Sequence, residues 1–314
     1  MSELLQLTFW ATFLSAAVRT AIPILCASIG EDISEKAGII NVGLEAVMLV
    51  GAFFGFAAAY LTRSLFWGFV VGMLAGMLLS LLHAFLSVYL KQDQYVAGVA
   101  LNLLATGLTS YIFQLMVNRY GIPQIETLKS VPIPLLSKIP LIGDALFNKD
   151  IVVYFSYLLV VFLVFYYKKT IWGMSLCAVG ENPRAADAVG ISVYKNQYMA
   201  AAVNGLLGGL GGAYLLLGQL GIFFENITAG RGYIALAVVV FGRRNPIGIL
   251  LAALFFGAAE AFQFRLQILG ISLPIQVFTG LPYVLTALSL LLVARSKRDG
   301  TPAALGVAYD RMSR

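Results

Sequence analysis

Charged side chains are scarce in this sequence: Asp, Glu, Lys and Arg make up only 11% of its 314 residues, while 60% of the residues are hydrophobic. Soluble domains average about 25% charged and roughly 45–50% apolar residues, so a soluble protein is excluded. The long apolar runs predict an all-α, polytopic membrane protein. The net charge of +6 lies in short loops and in the C-terminal tail, which does not indicate a nucleic-acid-binding surface.

Residues that bind metals or attack substrates are also few. The chain has one histidine, His83, and two cysteines, Cys26 and Cys177, which form neither a disulfide framework nor a metal motif. A phosphate-binding Gly-x-x-x-x-Gly-Lys-Ser/Thr loop, a His-Glu-x-x-His pair and a Cys-x-x-Cys pair are all missing from the sequence. We therefore expect no enzyme activity, metal or cofactor in this chain, so that any ATP and Mg²⁺ would be used by a partner ATPase.

Nine apolar runs are candidates for membrane-spanning helices, since a span needs about 20 mostly apolar residues. The seventh run is short and follows an irregular stretch, so we predict a broken helix there. All nine belong to a single transmembrane domain, residues 1–314. The predicted spans are 8–29, 38–60, 65–90, 95–117, 151–167, 197–219, 227–241, 247–267 and 274–293.

Lysine and arginine residues are unevenly distributed between the two sides of these spans. Leaving Arg19 in the first span aside, thirteen lie on the side of the C-terminus and seven on the other side. Because cytoplasmic loops carry the excess of positive charge, the tail 294–314 and the loop 168–196 are predicted to be cytoplasmic. The loop 118–150 and the N-terminus are then external.

Residues 175–192 form a polar island between two long apolar regions. Asn182 can accept hydrogen bonds from free backbone N–H groups, and Pro183 suits the first position of a helix. Gly190 can end the same helix in a left-handed conformation. The pattern therefore predicts a short helix outside the bilayer, and an ordered helix in that place needs a surface on which to dock.

Polar residues also occur inside the predicted spans. Asn41 and Glu45 of the second span are four residues apart, which places them on one helical face. A carboxylate at bilayer depth costs about 2.5–3.5 kcal/mol on insertion scales, so Glu45 must face a cavity, a partner or the bundle interior. With Arg19 as an available counter-ion, three roles stay open for Glu45: a structural ion pair, a passage lining and a proton relay.

Asn41 is a further candidate for lining a solute passage, as are Asn102 and Asn204 in other spans and Glu225 just before the broken element. A buried Asn or Gln more often bonds a neighbouring helix, so both roles stay open for these asparagines. Glycines at spacings of three and four predict that helices of this chain approach one another closely. These glycines are Gly51, Gly55, Gly72, Gly76, Gly205, Gly208, Gly209 and Gly212.

Three blocks of the sequence resemble one known family. They are residues 33–45, Ile-Ser-Glu-Lys-Ala-Gly-Ile-Ile-Asn-Val-Gly-Leu-Glu, and residues 178–191 and 230–248. Together, and in this order, they are similar to the permease subunits of bacterial ABC importers in the branched-chain amino acid, ribose and nucleoside class. The first and third blocks are closest in sequence to the nucleoside branch, and the tail 302–309 resembles the C-terminal segments of the family.

The resemblance implies a role for the polar island and a set of partners. The island would be the coupling helix, which docks on a cytoplasmic ABC ATPase. An external substrate-binding lipoprotein and a second, longer permease subunit would complete an importer in the lipid of the bacterial cytoplasmic membrane. The residues that take the coupling role by resemblance are Glu181, Asn182, Pro183, Arg184, Ala185, Ala186, Asp187 and Gly190.

The energy source and the cargo each have an alternative at this point. The resemblance implies ATP-driven uptake of a nucleoside-like solute, with a simple sugar, riboflavin or a branched-chain amino acid as alternative cargo. From the residues alone, a secondary transporter could also move the solute, with Glu45 or Glu260 carrying the coupling ion. Uptake by the isolated chain under an ion gradient would distinguish the second mechanism.

Overall fold

The computed structural model describes residues 7–139, 142–268, 280, 284 and 300–311. Within these ranges, seven helices are long and apolar enough to cross a membrane, and an eighth apolar helix, α10, is shorter. The predicted ninth span, 274–293, falls outside the described residues except at 280 and 284, so the count of nine stays a prediction. The helices are α1 (Leu7–Lys36), α2 (Leu44–Thr62), α3 (Leu65–Ala84), α4 (Gln94–Tyr120), α5 (Ile142–Leu146), α6 (Ile151–Lys169), α7 (Ile171–Glu181), α8 (Pro183–Ala188), α9 (Val193–Tyr214), α10 (Arg231–Phe241) and α11 (Pro246–Ile268).

Short irregular elements complete the described chain. π-Helical turns prolong two of the long helices: Phe85–Tyr89 follows α3, and Leu215–Leu220 follows α9. In the connection between α4 and α6, strand β1 (Val131–Pro132) pairs antiparallel with β2 (Asn148–Lys149), and a 3₁₀ turn lies between them. The predicted loop 118–150 is therefore a small folded cap and contains helix α5 as well.

Helix α2 starts later than the sequence predicts. The expected span begins at residue 38, whereas residues 37–43 form turns and the helix begins at Leu44. The cause is Gly38, which has φ +88° and ends α1 in a Schellman motif: its N–H bonds the Glu35 carbonyl, and the N–H of Ile39 bonds the Ser34 carbonyl. Since Asn41 lies in this 37–43 turn, the prediction that it shares a helical face with Glu45 is wrong.

The core is built where α2, α3 and α9 cross at glycines. A Cβ on Gly51 would lie 2.5 Å from the Cα of Gly209, and a Cβ on Gly205 would lie 2.5 Å from the Cα of Met77. Neither helix pair could approach so closely with larger residues at these positions. The predicted close packing within the chain is therefore confirmed. Helix α1 packs against the same group through α9 and against α11.

The bundle has two ends that differ in what they carry. At one end, which we call the α8 end, lie helix α8, the 37–43 turn and residues 300–311; the Gly306 N–H bonds the Gly38 carbonyl at 3.0 Å. At the opposite end lies the folded cap, where the Ile125 N–H bonds the Gly221 carbonyl at 2.9 Å. Residues 221–230 are irregular and lead from this end into α10, so the predicted broken element is confirmed.

Candidate functional site

Helix α8 starts and ends as its sequence predicts. The Asn182 side chain accepts a hydrogen bond from the Ala185 N–H at 3.0 Å, and Pro183 occupies the first turn. Gly190 follows with φ +86°, a conformation that favours glycine. The structure adds a second helix that the sequence analysis missed, α7, which runs directly into α8 and is capped by Thr170 through the Gly173 N–H.

The two faces of α8 differ. Ala186 is buried and packs with Val179, Val193 and Tyr309 in a small apolar cluster. The other face exposes Arg184 and Ala185, together with the capping residue Asn182, and beyond the helix Val189 is 76% exposed. Glu181, the last residue of α7, is exposed just before α8 and accepts a hydrogen bond from the Ala303 N–H at 3.4 Å. Asp187 faces sideways and forms an ion pair with Arg311 at 3.1 Å. Of the predicted coupling residues, Ala186 and Asp187 therefore hold the helix in place, while the exposed ones form a surface.

Residues 300–311, which we call the strap, brace α8 against the rest of the bundle. The Ala304 N–H bonds the Gly180 carbonyl at 2.9 Å, and Tyr309 enters the apolar cluster under α8. Asp310 forms an ion pair with Lys91, in the turn between α3 and α4, at 2.7 Å. A shallow groove of about 330 Å³ runs between α8 and the strap. The exposed face of α8 is thus mounted on a fixed base.

Three buried carboxylates lie near the end of α1, one of them bonded to the 37–43 turn, and the sequence analysis missed them. Glu31 accepts hydrogen bonds from the Asn41 N–H at 2.8 Å and from the Asn204 side-chain amide at 2.6 Å. Glu35 pairs with Arg244, and Asp32 accepts from the Tyr167 hydroxyl at 2.9 Å. The signal was available, since three acidic residues in the five positions 31–35 follow directly on an apolar run.

The same network occupies two of the predicted passage residues. The Asn41 amide donates to the Asn204 side-chain oxygen at 3.1 Å, and both residues are almost completely buried. Ser80 of α3 donates to the Ala201 carbonyl at 2.7 Å and lies within 3.2 Å of the same Asn204 oxygen. In this structure, Asn41 and Asn204 bind helices together rather than face an open surface.

Glu45 bonds the start of α10 instead of Arg19. Its carboxylate accepts from the Thr228 hydroxyl at 2.5 Å, from the Gly230 N–H at 2.9 Å and from the Gly232 N–H at 2.7 Å. The first N–H groups of a helix have no partner within the helix and attract an anion. Arg19 donates to the Gly218 carbonyl, so the predicted ion pair between Arg19 and Glu45 is wrong.

Three other predicted polar residues lie around α10. The Asn102 oxygen accepts from the Ala46 N–H at 2.8 Å, and its amide donates to the Tyr233 hydroxyl at 2.8 Å. Glu225 is exposed and accepts from the Gln114 amide at 3.3 Å. Glu260 forms an ion pair with Arg231 at the start of α10. Among the described residues, no group of three or more His, Cys, Asp and Glu could hold a metal ion.

Comparison with known proteins identifies the family. The model of the branched-chain amino acid transport system permease component matches residues 13–294. This chain belongs to that permease family. The guanosine ABC transporter permease protein NupQ of Bacillus subtilis is 36% identical over 335 aligned residues, which cover 99% of each chain. The nucleoside ABC transporter permease protein NupC of Lactococcus lactis is 38% identical over 296 residues, which cover 91% of this chain and 93% of the relative.

A further relative shows how the permeases of one organism differ. The guanosine ABC transporter permease protein NupP of Bacillus subtilis is 26% identical over 300 residues. These cover 90% of this chain but 81% of NupP, so that relative extends further than this permease.

The family assignment settles what kind of protein this is. The chain is a multi-pass membrane permease subunit of an ABC importer and is not an enzyme, because ATP hydrolysis belongs to a separate ATPase subunit. The importer as a whole also uses a solute-binding protein. The alternative of an ion-coupled secondary transporter loses its candidate residues as well, since Glu45 and Glu260 are each engaged with the start of α10.

Proposed function

We propose that this permease imports a nucleoside-like solute and that α8 is the helix through which a cytoplasmic ABC ATPase drives it. One observation carries the assignment of α8: a capped helix projects from the bundle with its apolar side buried and its polar side exposed, on a base made by α7 and the strap. An ordered helix in this position offers a fixed surface on which a partner protein can dock. The docked ATPase subunits would approach each other on binding ATP and pull α8 with them.

The proposed orientation places the α8 end in the cytoplasm. Basic residues are concentrated there, as the positive-inside rule requires. Helix α1 ends at this side, so the N-terminus and the folded cap are external, where a substrate-binding lipoprotein would deliver the solute. The described basic residues at the α8 end are Lys36, Lys91, Lys168, Lys169, Arg184, Lys195, Arg243, Arg244 and Arg311. This arrangement fits the cytoplasmic membrane of a bacterium.

A second, longer permease is the proposed partner in the membrane. Two guanosine permease proteins with different names occur in Bacillus subtilis, and this chain covers 99% of one and 81% of the other. The chain is also more similar to the shorter protein, with 36% against 26% identity. We infer that the permease takes the place of the shorter subunit in a heterodimer, and that a homologue with additional residues supplies the other half of the passage.

A nucleoside is the favoured cargo because two full-length relatives are named for guanosine and for nucleosides. The family description names branched-chain amino acids, and a relative from Haloferax volcanii that is 36% identical over 97% of this chain is named a putative glucose ABC transporter permease protein, so an amino acid and a sugar are the alternatives. Binding assays on the purified external lipoprotein with guanosine, adenosine, uridine, leucine and glucose decide between them. Saturable binding of leucine or glucose without binding of any nucleoside would refute the nucleoside proposal.

The coupling role is tested by changing the exposed face of α8 in the complete transporter. Arg184→Ala and Glu181→Ala are expected to lower ATP-driven uptake into proteoliposomes at least about tenfold, which corresponds to about 1.4 kcal/mol, while the complex still folds. Lys195→Ala is the matched control, because Lys195 is an exposed cation at the same end of the bundle but outside α8. Normal uptake per ATP hydrolysed in both α8 variants would contradict the assignment.

A further inference from the structure

A row of polar residues runs along the exposed side of α4, a helix whose hydropathy is otherwise that of a membrane span. The row consists of Asn102, Thr106, Ser110, Gln114 and Asn118, each four residues after the one before. Thr106, Gln114 and Asn118 are exposed, Ser110 is half-buried, and Asn102 lies at the buried edge. We call this row the α4 stripe.

The geometry of a helix makes the stripe continuous. A step of four residues turns the direction of the side chain by about 40° and advances it by about 6 Å, so over its four steps the stripe forms a continuous band that winds by about 160° around α4. From Asn102 to Asn118 it extends about 24 Å, most of the roughly 30 Å of hydrocarbon in a bilayer. The other exposed residues along the same length are Leu103, Leu104, Gly107, Leu108, Tyr111 and Leu115. Leu104, Leu108, Tyr111 and Leu115 lie together on one side of α4, which we call its apolar half, whereas Leu103, 73% exposed, points in the same direction as the middle of the stripe.

The stripe is continuous with the broken element. The Gln114 amide donates to the Glu225 carboxylate at 3.3 Å, and the Asn102 amide donates to the Tyr233 hydroxyl at 2.8 Å. Phe224 and Tyr233 are 53% and 46% exposed. The α4 stripe, residues 221–230 and the start of α10 therefore form one surface that offers amides, hydroxyls, a carboxylate and two aromatic rings.

A surface of this kind is unsuited to lipid. Hydrocarbon supplies no hydrogen-bond partners, so polar side chains within a membrane face the interior of a bundle or a water-filled cavity. The apolar half of α4 has the opposite character and suits lipid or close packing. The irregular backbone of 221–230 leads to the same conclusion, because such backbone is tolerated at membrane depth only against protein or a watery cavity.

We propose that the α4 stripe together with residues 224–233 forms one wall of the solute passage, which closes against the second permease. This inference rests on the proposed function and adds to it the residues and the selectivity. Amides and hydroxyls both donate and accept hydrogen bonds, which suits the hydroxyls and ring edges of an uncharged solute. Exposed rings of Phe224 and Tyr233 offer faces for stacking a planar base. The Glu225 carboxylate disfavours anions, so the wall selects nucleosides over nucleotides.

Water access is tested by cysteine labelling of the complete transporter in membranes. Ser110→Cys places a thiol in the stripe and Leu108→Cys places one on the apolar half of the same helix, while the native chain, with Cys26 buried and Cys177 half-buried, is the blank. Because only the hydrated thiolate reacts, a membrane-impermeant thiol reagent is expected to modify Ser110→Cys at least about tenfold faster than Leu108→Cys. Equal rates of thiol modification in Ser110→Cys and Leu108→Cys would refute the proposal that the α4 stripe lines a watery passage.

Selectivity is tested by uptake kinetics in proteoliposomes that contain the lipoprotein and the ATPase. Gln114→Ala is expected to raise the KM for guanosine about tenfold, and Glu225→Gln is expected to let guanosine monophosphate compete with guanosine. Leu104→Ala, on the apolar half, is the matched control and leaves both values unchanged. Unchanged kinetics in Gln114→Ala and Glu225→Gln would overturn the assignment of these side chains to the passage.

The two proposals fail in different ways. If Ser110→Cys is labelled selectively but no nucleoside is taken up, the wall stands and the cargo is wrong. If ATP drives guanosine uptake but both cysteines react at the same rate, the function stands and the solute passes elsewhere.

Discussion

The carboxylate of Glu45 is bonded to the first turn of α10, so neutralising it tests whether this group is structural or carries an ion. Glu45→Gln keeps the size of the side chain and one acceptor oxygen. In the parent, the Glu45 carboxylate accepts from the Gly230 N–H at 2.9 Å and from the Gly232 N–H at 2.7 Å. In the variant, the new amide nitrogen is a donor and faces one of these two N–H groups, to which it cannot bond. At least one N–H group at the start of α10 loses its acceptor.

The cost follows from these contacts. Leaving a buried donor without a partner costs about 1–3 kcal/mol, and hydrogen bonds to charged groups are worth about 1.5–3 kcal/mol. An anion beside a helix N-terminus adds about 0.3–1 kcal/mol. We therefore expect Glu45→Gln to destabilise the permease by about 2–4 kcal/mol, and Glu45→Ala by more, because both N–H groups then lose their acceptor.

The assay is thermal unfolding of the purified complex, in parallel with uptake. A loss of 1 kcal/mol lowers the Tm of a domain of 150–250 residues by about 2–4 °C, so a loss of about 2–4 kcal/mol should lower the Tm of Glu45→Gln by about 4–16 °C. Thr228→Val removes the hydroxyl that bonds the same carboxylate at 2.5 Å. The stability loss of the double variant Glu45→Gln/Thr228→Val should be about 0.5–3 kcal/mol smaller than the sum of the losses of the two single variants, as expected for residues in contact.

Glu225→Gln is the matched control, because this glutamate is exposed and its bond to Gln114 is long at 3.3 Å. Its free energy of unfolding should change by no more than about 0.5 kcal/mol, the effect of an ordinary surface substitution, so its Tm should stay close to that of the parent. The opposite pattern would refute the structural role of Glu45. Glu45 would carry an ion if three results came together: Glu45→Gln has the same Tm as the parent, its uptake is abolished, and the isolated parent chain takes up solute when a proton gradient is applied.

Two further predictions concern packing and pH. A Cβ on Gly212 would overlap the carbonyl oxygen of Met48, whereas one on Gly107 would meet no atom within 4 Å. In thermal unfolding, Gly212→Ala should therefore lower the free energy of unfolding by about 1–3 kcal/mol or more, while Gly107→Ala should leave it unchanged or raise it by up to about 1 kcal/mol. Equal Tm values for the two variants would contradict the packing. Burial lowers the pKa of Lys149 from 10.5 to about 8, so between these values the unfolded chain binds more protons and stability should rise with pH. Lys149→Met should remove that part of the slope in a Tm series from pH 8 to 10.5, and an identical slope in both proteins would contradict it.

Features with a local cause were predictable from the sequence. The start of α8 needs only the capping preference of Asn182 and the tolerance of Pro183 at the first turn, and its end needs only the positive φ of Gly190. Apolar runs of sufficient length predicted seven spans and the short α10 in the described part of the chain. Glycine spacing predicted where helices pack closely, because the absence of a side chain allows close approach whichever helix lies opposite.

Features that depend on distant partners could not be predicted in this way. Proximity in sequence placed Asn41 and Glu45 on one helical face, but α2 begins only at Leu44, so Asn41 lies in the preceding turn and outside the helix that contains Glu45. Opposite charge suggested Arg19 as the partner of Glu45, whereas backbone N–H groups of α10 provide the positive end of a helix dipole without any cation. Periodicity cannot reveal such an anion-binding site, because free backbone N–H donors are present at the start of every helix whatever its sequence.

The late start of α2 has a mechanical consequence for the proposed coupling. Helix α7 packs against the end of α1, and the Gly306 N–H of the strap bonds the Gly38 carbonyl, so the base of α8 is bonded directly to the 37–43 turn. A few residues later, Glu45 holds α10 and the Ala46 N–H holds Asn102 of α4.

The start of α2 therefore ties both sides of the proposed wall, α10 and α4, to the same turn of helix. A tilt of that turn moves α10 and α4 together, as a passage that alternates its opening requires. A continuous helix from residue 38 would have placed the Glu45 carboxylate elsewhere, and the first N–H groups of α10 would then need another acceptor. The break in the helix, rather than an ion pair, explains why a carboxylate at this depth is stable.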